Sequence, residues 1–410
     1  MRLPQSAGRL ALIGVVALAA GCGTLLRNPV PPEATDAAII PGMADVRAWA
    51  ARQSPTMQRD LEESFRQESR ADFPVSADGR VRYAHLLLSG GGANGAFGAG
   101  LLNGWTRSGQ RPVFKIVTGV STGALMAPFA FAGVGYDDAL REFYTTTRSR
   151  NIFVSGSLFG MLSQALFGEA LADTGPLASL IAQHIDATFL LHIAAAHDAG
   201  RRLYIGTADL DSQRFVVWNM GLIAKADYPD KVHLFRQVML ASASIPVVFP
   251  PVFFEVEVNG QLYDEMHVDG GVGAMVFFTG GLFSPSIARV NAGGLPGRDE
   301  IYLIHNGQLV PPEPTPTPRT VRGISSRVLE ATGRSAVLGD LFRIYTIAQR
   351  ENATFKWITI PEGVSLAGEE FFDPVLMTSL YEVGLQRGET GGGWSTQLPG
   401  DQGTLRQRAR

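Results

Sequence analysis

The residue whose surroundings best suit covalent chemistry is Ser121, within the pentapeptide Gly119-Val120-Ser121-Thr122-Gly123. The apolar run Phe114–Thr118 before it predicts a strand, and Ala124–Ala132 after it are mostly apolar and helix-forming. A serine on a tight turn between a strand and a helix is held at the end of a sheet as a nucleophile. Gly119 and Gly123 fit this turn because a side chain at either position would crowd it. We therefore predict a nucleophilic serine; a Gly/Ser turn without chemistry is the alternative.

A glycine-rich loop, Ser89–Gly100, follows a second predicted strand, Tyr83–Leu88. It contains the spacing G-x-G-x-x-G, which also occurs in dinucleotide-binding folds. Such a fold needs an acidic residue about twenty positions later to bind the ribose, but the sequence has no Asp or Glu from Gly95 to Tyr136. A phosphate-binding P-loop is excluded because no Gly-Lys-Ser/Thr closes the loop.

The remaining functional interpretation of this loop is a set of backbone N–H donors for an anion that forms during a reaction. Consecutive glycines leave such donors unobstructed, so we predict that Gly90, Gly91 and Gly92 form an oxyanion hole. The structural alternative is that these glycines only permit a strand and a helix to pack closely.

A carboxylate is predicted at the end of a β-hairpin. Two alternating runs, Phe253–Val258 and Gln261–Val268, flank Asn259-Gly260, which is a strong hairpin signal. The second run leads directly into Asp269-Gly270-Gly271. A carboxylate followed by two glycines can approach a neighbouring hydroxyl group closely, so Asp269 is the candidate general base. Asp as a simple turn former is the alternative.

His305 keeps a second catalytic arrangement open. It lies at the end of the predicted strand Glu300–Asn306, so Ser121, Asp269 and His305 follow the chain order of an α/β-hydrolase triad. The hairpin that carries Asp269 and the early glycine-rich loop favour a two-residue site instead. The other histidines have no paired metal-ligand spacing, and we interpret them as structural or surface residues: His85, His184, His192, His197, His233 and His267.

The beginning of the sequence resembles a bacterial lipoprotein leader. Residues 1–21 contain Arg2 and Arg9, followed by an uncharged apolar run of signal-peptide length and the sequence Ala-Ala-Gly-Cys ending at Cys22. Cys22 is the only cysteine, which excludes disulfides within the chain and a cysteine metal cluster. We predict lipidation of Cys22; an ordinary cleaved signal with an incidental cysteine is the alternative. Gly23 resembles the residue that directs lipoproteins to the outer membrane.

Composition indicates a globular protein with a large core. The chain is 45% hydrophobic and 18% charged, and its formal net charge is −3. This balance gives no basic surface for nucleic acid, so we predict no nucleic-acid partner.

Taken in order, the motifs Gly90-Gly91-Gly92, Gly119-x-Ser121-x-Gly123 and Asp269-Gly270-Gly271, with ASASIPVVFPP at 241–251, resemble the patatin-like phospholipase family. The resemblance implies an α/β fold, a three-layer α/β/α sandwich with a mostly parallel central sheet. It also implies a Ser121–Asp269 dyad without histidine, no metal or organic cofactor, and hydrolysis of acyl esters, commonly of phospholipids. Asn94 departs from the family pattern, which usually has Arg or Lys at this position.

The resemblance and the residues predict a lipid acyl hydrolase on a membrane of the bacterial cell envelope. The alternative that is not an enzyme is a lipid-binding lipoprotein.

An apolar stripe within Asn151–Ile185 predicts a lid or an acyl-chain tunnel; the alternative is that these residues belong to the ordinary hydrophobic core. We divide the chain into a signal peptide (1–21), a tether (22–44), an N-terminal helical segment (45–80), a catalytic domain (81–387, with its motifs in 83–306) and a disordered tail (388–410).

Overall fold

The computed structural model describes residues 27–148, 154–155, 172–311, 314–370 and 372–399. The predicted signal peptide and Cys22 lie outside these residues, and so does most of the stretch predicted to be a lid or tunnel. Among the described residues, no single helix has the length and apolar composition to cross a membrane, although one bent pair, Gly175–His184 with Ala187–Asp198, satisfies both criteria together.

Strands and helices alternate along most of the chain. The strands are β1 (Arg47–Trp49), β2 (Val81–Leu88), β3 (Phe114–Val120), β4 (Val154–Ser155), β5 (Ala172–Asp173), β6 (Arg202–Asp209), β7 (Arg214–Asn219), β8 (Val252–Val258), β9 (Gln261–Asp269), β10 (Gly297–His305) and β11 (Thr354–Thr359). The helices are α1 (Pro55–Arg66), α2 (Gly95–Arg107), α3 (Thr122–Ala132), α4 (Asp137–Thr145), α5 (Gly175–His184), α6 (Ala187–Asp198), α7 (Met220–Lys225), α8 (Lys231–Ser242), α9 (Pro285–Asn291), α10 (Val321–Arg350) and α11 (Pro374–Glu389).

One nine-stranded sheet organises the fold, with the order β1-β7-β6-β3-β2-β10-β11 and the hairpin β8–β9 attached to β6. The five strands from β6 to β11 run parallel to their neighbours. The pairs β1–β7, β7–β6, β6–β9 and β8–β9 are antiparallel. The predicted parallel sheet therefore forms the centre, and antiparallel strands extend it on one side. The short β1 lies outside β7 at this edge of the sheet.

Helices cover both faces of this sheet, so the predicted three-layer α/β/α architecture is confirmed. Side chains alternate along β2, with Leu86 and Leu88 in one apolar cluster and Tyr83 and Leu87 in the other. The first cluster includes buried residues of α2, α3, α8 and α11, and the second includes those of α1, α9 and α10. A strand buried on both faces is expected to be mostly apolar. This is the pattern of β2 and β3, apart from Arg82 and His85 in β2 and Lys115 and Thr118 in β3.

Part of the predicted tether belongs to the folded body. From Arg27 the chain runs along the β8–β9 hairpin, where the backbone N–H of Ile39 donates to Glu257 at 3.1 Å. Ile40 and Met43 are buried. The proline content of this stretch predicts an extended spacer, but its few apolar side chains are enough to hold it against the hairpin.

The chain ends also differ from the sequence-based division. The segment 45–80 contains one helix, α1, and the short strand β1, rather than helices alone. In the predicted tail, α11 continues to Glu389, Trp394 packs against Trp105 and Tyr302, and Ser395 pairs with Trp357. The final residues, 400–410, lie outside the described part of the chain.

Candidate active site

Ser121 occupies a strained turn between β3 and α3. Its backbone angles are φ 55° and ψ −125°. Residues other than glycine rarely adopt this conformation, and those that do are concentrated at functional sites. A Cβ at Gly123 would lie 2.2 Å from the carbonyl oxygen of Leu88, so the turn needs glycine there. At Gly119 it would lie 2.4 Å from the carbonyl oxygen of Gly123. The Ser121 side chain thus stands at the end of the sheet, beside the first turn of α3, whose dipole favours negative charge.

Ser242, which the sequence analysis did not single out, holds the backbone of this turn. Its Oγ accepts the N–H of Ser121 at 3.0 Å and donates to the carbonyl oxygen of Gly206 at 2.6 Å. The last residue of α8 therefore links the turn to β6. The only sequence signal was the run of small residues at 241–244, which indicated close packing but not this hydrogen bond.

Asp269 reaches the same end of the sheet through the pairing of β6. Val120, the last residue of β3, pairs with Gly206, and Asp269, the last residue of β9, pairs with the next residue, Thr207. Because β3 runs parallel to β6 and β9 runs antiparallel to it, the two strands approach this point of β6 from opposite directions, and their ends meet there. The hairpin turn helps to fix this register, because Asn259 and Gly260 both have positive φ as a two-residue turn requires.

The Asp269 carboxyl group is almost completely buried, with 6% of the residue exposed. Oδ1 accepts the N–H of Gly271 at 2.7 Å, whereas Oδ2 has no fully formed hydrogen bond within the described residues. Burial raises the pKa of Asp269 to about 6, and the nearby Ser121 hydroxyl and the Gly271 N–H lower it in part. Hydrogen bonds between catalytic groups are often long before substrate binds. The Ser121 hydroxyl is therefore near enough to lower the pKa of Asp269, but the described residues show no fully formed hydrogen bond between the two side chains.

The glycine loop lies directly over the serine. An added Cβ at Gly90 would be 3.2 Å from the Cβ of Ser121, and one at Gly91 would be 2.1 Å from the carbonyl oxygen of Asn306. Gly90 was predicted to donate to an oxyanion, but its N–H already donates to Met275 at 2.9 Å. That assignment is corrected: Gly90 anchors the loop. The N–H groups of Gly91 and Gly92 have no backbone acceptor in the described part of the chain, and they are the donors that remain.

The remaining motif residues support this arrangement. An added Cβ at Gly270 would lie 2.3 Å from the carbonyl oxygen of Gly206, so Gly270 lets the chain pass closely over β6. Asn94 is half-buried at the end of the short 3₁₀ helix Gly92–Asn94 and accepts no side-chain capping bond.

A mostly apolar pocket, which is partly open to solvent, lies beside Ser121 and Gly92. Its lining can bind apolar groups through hydrophobic burial. Its apolar lining comes from several helices and from the segment after α8: Leu125, Phe143, Leu177, Ile245, Phe249 and Met377.

His305 does not join the dyad through a hydrogen bond. Its Nδ1 lies 3.0 Å from Oγ of Ser89, and Ser89 in turn accepts the backbone N–H of Asn306 at 2.9 Å. Burial, with a smaller effect of Arg334, lowers the pKa of His305 to about 4, so the ring is neutral at physiological pH. His305 therefore supports the start of the glycine loop.

One cluster among the described residues has the spacing of metal ligands: Asp209, Glu265 and His267, with ligand atoms within 4.8 Å of one another. The Arg47 guanidinium donates to Oε1 of Glu265 at 3.0 Å, and Nδ1 of His267 lies 2.9 Å from Oγ1 of Thr207. Because arginine already balances the carboxylate charge, we interpret this cluster as a buried ion-pair network.

Comparison with known proteins identifies a family for the part of the chain that carries the motifs. Residues 86–280 match the patatin-like phospholipase family, and this part of the chain is a patatin-like phospholipase domain. The chain thus carries a domain of a lipid hydrolase class. Comparison with curated protein sequences finds no match.

Three solved structures resemble the chain at low identity. The crystal structure of VipD from Legionella pneumophila is 12% identical, with 78% of this chain and 69% of VipD covered and a TM-score of 0.39. The type III effector protein ExoU is 15% identical, with coverage of 77% and 55% and a TM-score of 0.34. Full-length ExoU from Pseudomonas aeruginosa, in complex with SpcU, is 13% identical, with coverage of 75% and 52% and a TM-score of 0.30. The chain spans about half the length of ExoU.

Proposed function

We propose that the chain is a lipid acyl hydrolase of the phospholipase A or esterase type, with Ser121 as nucleophile and Asp269 as general base. The observation that carries this proposal is the shared pairing of β3 and β9 with β6, which brings the strained serine and a buried carboxylate to one end of the sheet. A carboxyl group whose pKa is raised to about 6 is a better base than an ordinary aspartate and is still ionised at neutral pH.

In the first half of the reaction, Oγ of Ser121 attacks the ester carbonyl carbon and its proton passes to Oδ2 of Asp269. The N–H groups of Gly91 and Gly92 stabilise the negative charge that forms on the carbonyl oxygen. The tetrahedral intermediate then expels the alcohol, which takes the proton from Asp269 and leaves an acyl group on the serine.

In the second half, Asp269 removes a proton from a water molecule, which attacks the acyl-enzyme. The second tetrahedral intermediate releases the fatty acid and returns the proton to Ser121. The apolar pocket beside Ser121 suits the acyl chain of a membrane lipid, which is why we favour lipid esters over small polar ones. The scheme needs no metal or organic cofactor.

The substrate class is tested by incubating purified protein with p-nitrophenyl esters and with phospholipid vesicles, and by identifying the products by mass spectrometry. We expect release of free fatty acid from phospholipid. Release of a phosphorylated head group instead would contradict acyl hydrolysis. No turnover of any ester by folded protein would favour the non-catalytic lipid-binding alternative.

A His305→Asn variant tests the triad alternative. Asparagine keeps a polar atom where Nδ1 contacts Ser89, so the loop retains its partner. With a Ser–Asp dyad, kcat stays within about 5-fold of the unaltered protein. A working triad would lose about 10⁶-fold in kcat on removal of its imidazole.

We further propose that lipidation at Cys22 anchors the protein to the bacterial cell envelope, in the outer membrane, so that the site meets its substrate at a lipid surface. Labelling cells with a palmitate analogue should tag the unaltered protein and not Cys22→Ser. Labelling of both would contradict this anchor.

A further inference from the structure

We propose that Asp340 on α10 is a positioning residue for the oxyanion loop, acting through the backbone of Met275. Asp340 lies outside residues 86–280, the part of the chain that matches the family. As a statement about catalysis, this inference rests on the proposed function; as a statement about loop geometry, it does not.

The first link joins Asp340 to the segment after the catalytic carboxylate. Oδ2 of Asp340 accepts the N–H of Met275 at 2.8 Å and that of Val276 at 3.2 Å. Oδ1 accepts a hydrogen bond from Arg343 at 2.7 Å. Asp340 is 3% exposed, so it is enclosed between the helix and the segment. One carboxylate oxygen therefore fixes two successive peptide groups.

The second link joins the same segment to the glycine loop. The carbonyl oxygen of Met275 accepts the N–H of Gly90 at 2.9 Å. The side chain of Met275 fills the space between the two motifs: its methyl carbon lies 3.1 Å from a Cβ built at Gly90, and its sulfur lies 3.0 Å from one built at Gly271. The position of Met275 thus determines how far the glycine loop lies from Ser121.

Stability alone does not account for a carboxylate at this position. Burial raises the pKa of Asp340 to about 6, so an ionised Asp340 at neutral pH lowers the free energy of unfolding relative to a neutral group of the same shape. What the carboxylate provides is two charge-assisted hydrogen bonds that hold adjacent N–H groups in one direction. A misplacement of about 1 Å in a catalytic group costs roughly 10²-fold in rate.

The test compares Asp340→Ala and Asp340→Asn with a matched control, Glu351→Ala. Glu351 follows the same helix, is 6% exposed and accepts the N–H of Ser286 at 2.9 Å, in a segment distant in sequence from both catalytic motifs. Hydrogen–deuterium exchange of a peptide covering 88–94 reports loop order without any substrate. Esterase kinetics, normalised to the sites titrated by a fluorophosphonate, report catalysis.

We expect Asp340→Ala to speed exchange in 88–94 at least about 5-fold and to lower kcat about 10- to 100-fold with KM within about 3-fold. Asp340→Asn keeps one neutral acceptor oxygen for the two N–H groups, so its loss of kcat should be smaller than that of Asp340→Ala. Glu351→Ala should lower the melting temperature and change neither readout. If Asp340→Ala does not fold, Asp340→Ser, whose hydroxyl is too short to reach both N–H groups, replaces it.

Unchanged exchange in 88–94 with unchanged kcat per titrated site would overturn the inference. Equal effects of the Asp340 and Glu351 variants would also overturn it, because they would assign Asp340 a general structural role. If the unaltered protein neither hydrolyses esters nor reacts with the probe, the proposed function fails, and the exchange measurement still decides whether Asp340 positions the loop.

Discussion

At the scale of single residues, the site depends on a serine in a disfavoured backbone conformation and a carboxylate that is costly to ionise. Ser121 has φ 55°, and Asp269 is buried with one oxygen that lacks a formed hydrogen bond. Both features raise the free energy of the folded state, and both fit a reaction in which the serine loses a proton to the carboxylate. The two residues proposed to react, Ser121 and Asp269, are therefore also residues that lower the stability of the folded state.

The raised pKa of Asp269 predicts a pH dependence of catalysis. Asp269 must be ionised to accept the serine proton, and its pKa is raised to about 6 by burial. We expect kcat/KM for a soluble p-nitrophenyl ester to rise about tenfold per pH unit below pH 6 and to level off above it. A profile measured from pH 4 to 9 checks this. An inflection near pH 4 would mean that the carboxylate titrates normally, and an inflection near 7 would implicate a histidine.

The same pKa predicts a pH dependence of stability. The pKa of Asp269 is raised from an ordinary 3.8 to about 6, so its contribution to stability is fully present below pH 3.8 and is lost as the pH rises through 6. Asp269→Asn, which cannot ionise, should gain up to about 3 kcal/mol over the unaltered protein above pH 6 and little near pH 4.

Urea unfolding of the two proteins at pH 4.5 and pH 7.5 measures this gain. As a control, Asp373→Asn changes a carboxylate whose pKa backbone hydrogen bonds lower, so it should lose rather than gain stability at the higher pH. An Asp269→Asn variant that is less stable than the unaltered protein at pH 7.5 would argue against a desolvated carboxylate.

At the scale of elements, the ends of two strands and one helix meet at the site. The ends of β3 and β9 are set by β6, and α8 contributes Ser242 at its last residue. α10 reaches the glycine loop through Met275. The reacting groups themselves are therefore held by a rigid sheet, and the loop that would stabilise the oxyanion is held from two sides.

Removing the Ser242 hydroxyl tests the contribution of α8. Ser242→Ala leaves the buried N–H of Ser121 and the carbonyl oxygen of Gly206 without their partner, which should lower the free energy of unfolding by about 1–3 kcal/mol and reduce kcat about tenfold. Ser244→Ala is the matched control: its hydroxyl lies two residues beyond α8 and donates to the carbonyl oxygen of Leu240, so its loss should affect kcat less than about 2-fold. Equal kinetic effects of the two changes would contradict a specific role for Ser242.

At the scale of the whole molecule, the sequence predicts those features that local chemistry determines. The Gly119–Gly123 turn, the Asn259-Gly260 hairpin and the apolar strands follow from backbone sterics and periodicity, and they recur in the structure. The fold class was implied by the family resemblance that these motifs carry. The assignment of Gly90 as a donor was wrong, because its partner, Met275, lies 185 residues away and no local pattern specifies such a contact.

Long-range packing accounts for the other differences between sequence and structure. The proline-rich stretch before residue 44 has the composition of a spacer. Its Ile40 and Met43 are nevertheless buried, in the same apolar cluster as Val256 and Val258 of the hairpin. Trp394 likewise packs against Trp105, so part of the segment predicted to be a disordered tail belongs to the folded protein. The hydrogen bonds of Ser242 and Asp340 have no sequence signature, because each joins a side chain to backbone groups far along the chain.

The most direct test of the Ser121–Asp269 dyad is covalent labelling followed by intact-mass spectrometry. A fluorophosphonate should add one phosphonyl group to the unaltered protein at Ser121, none to Ser121→Ala, and add it at least about 100-fold more slowly to folded Asp269→Asn. Modification of Ser121→Ala to the same extent, or an unchanged labelling rate in Asp269→Asn, would contradict the dyad.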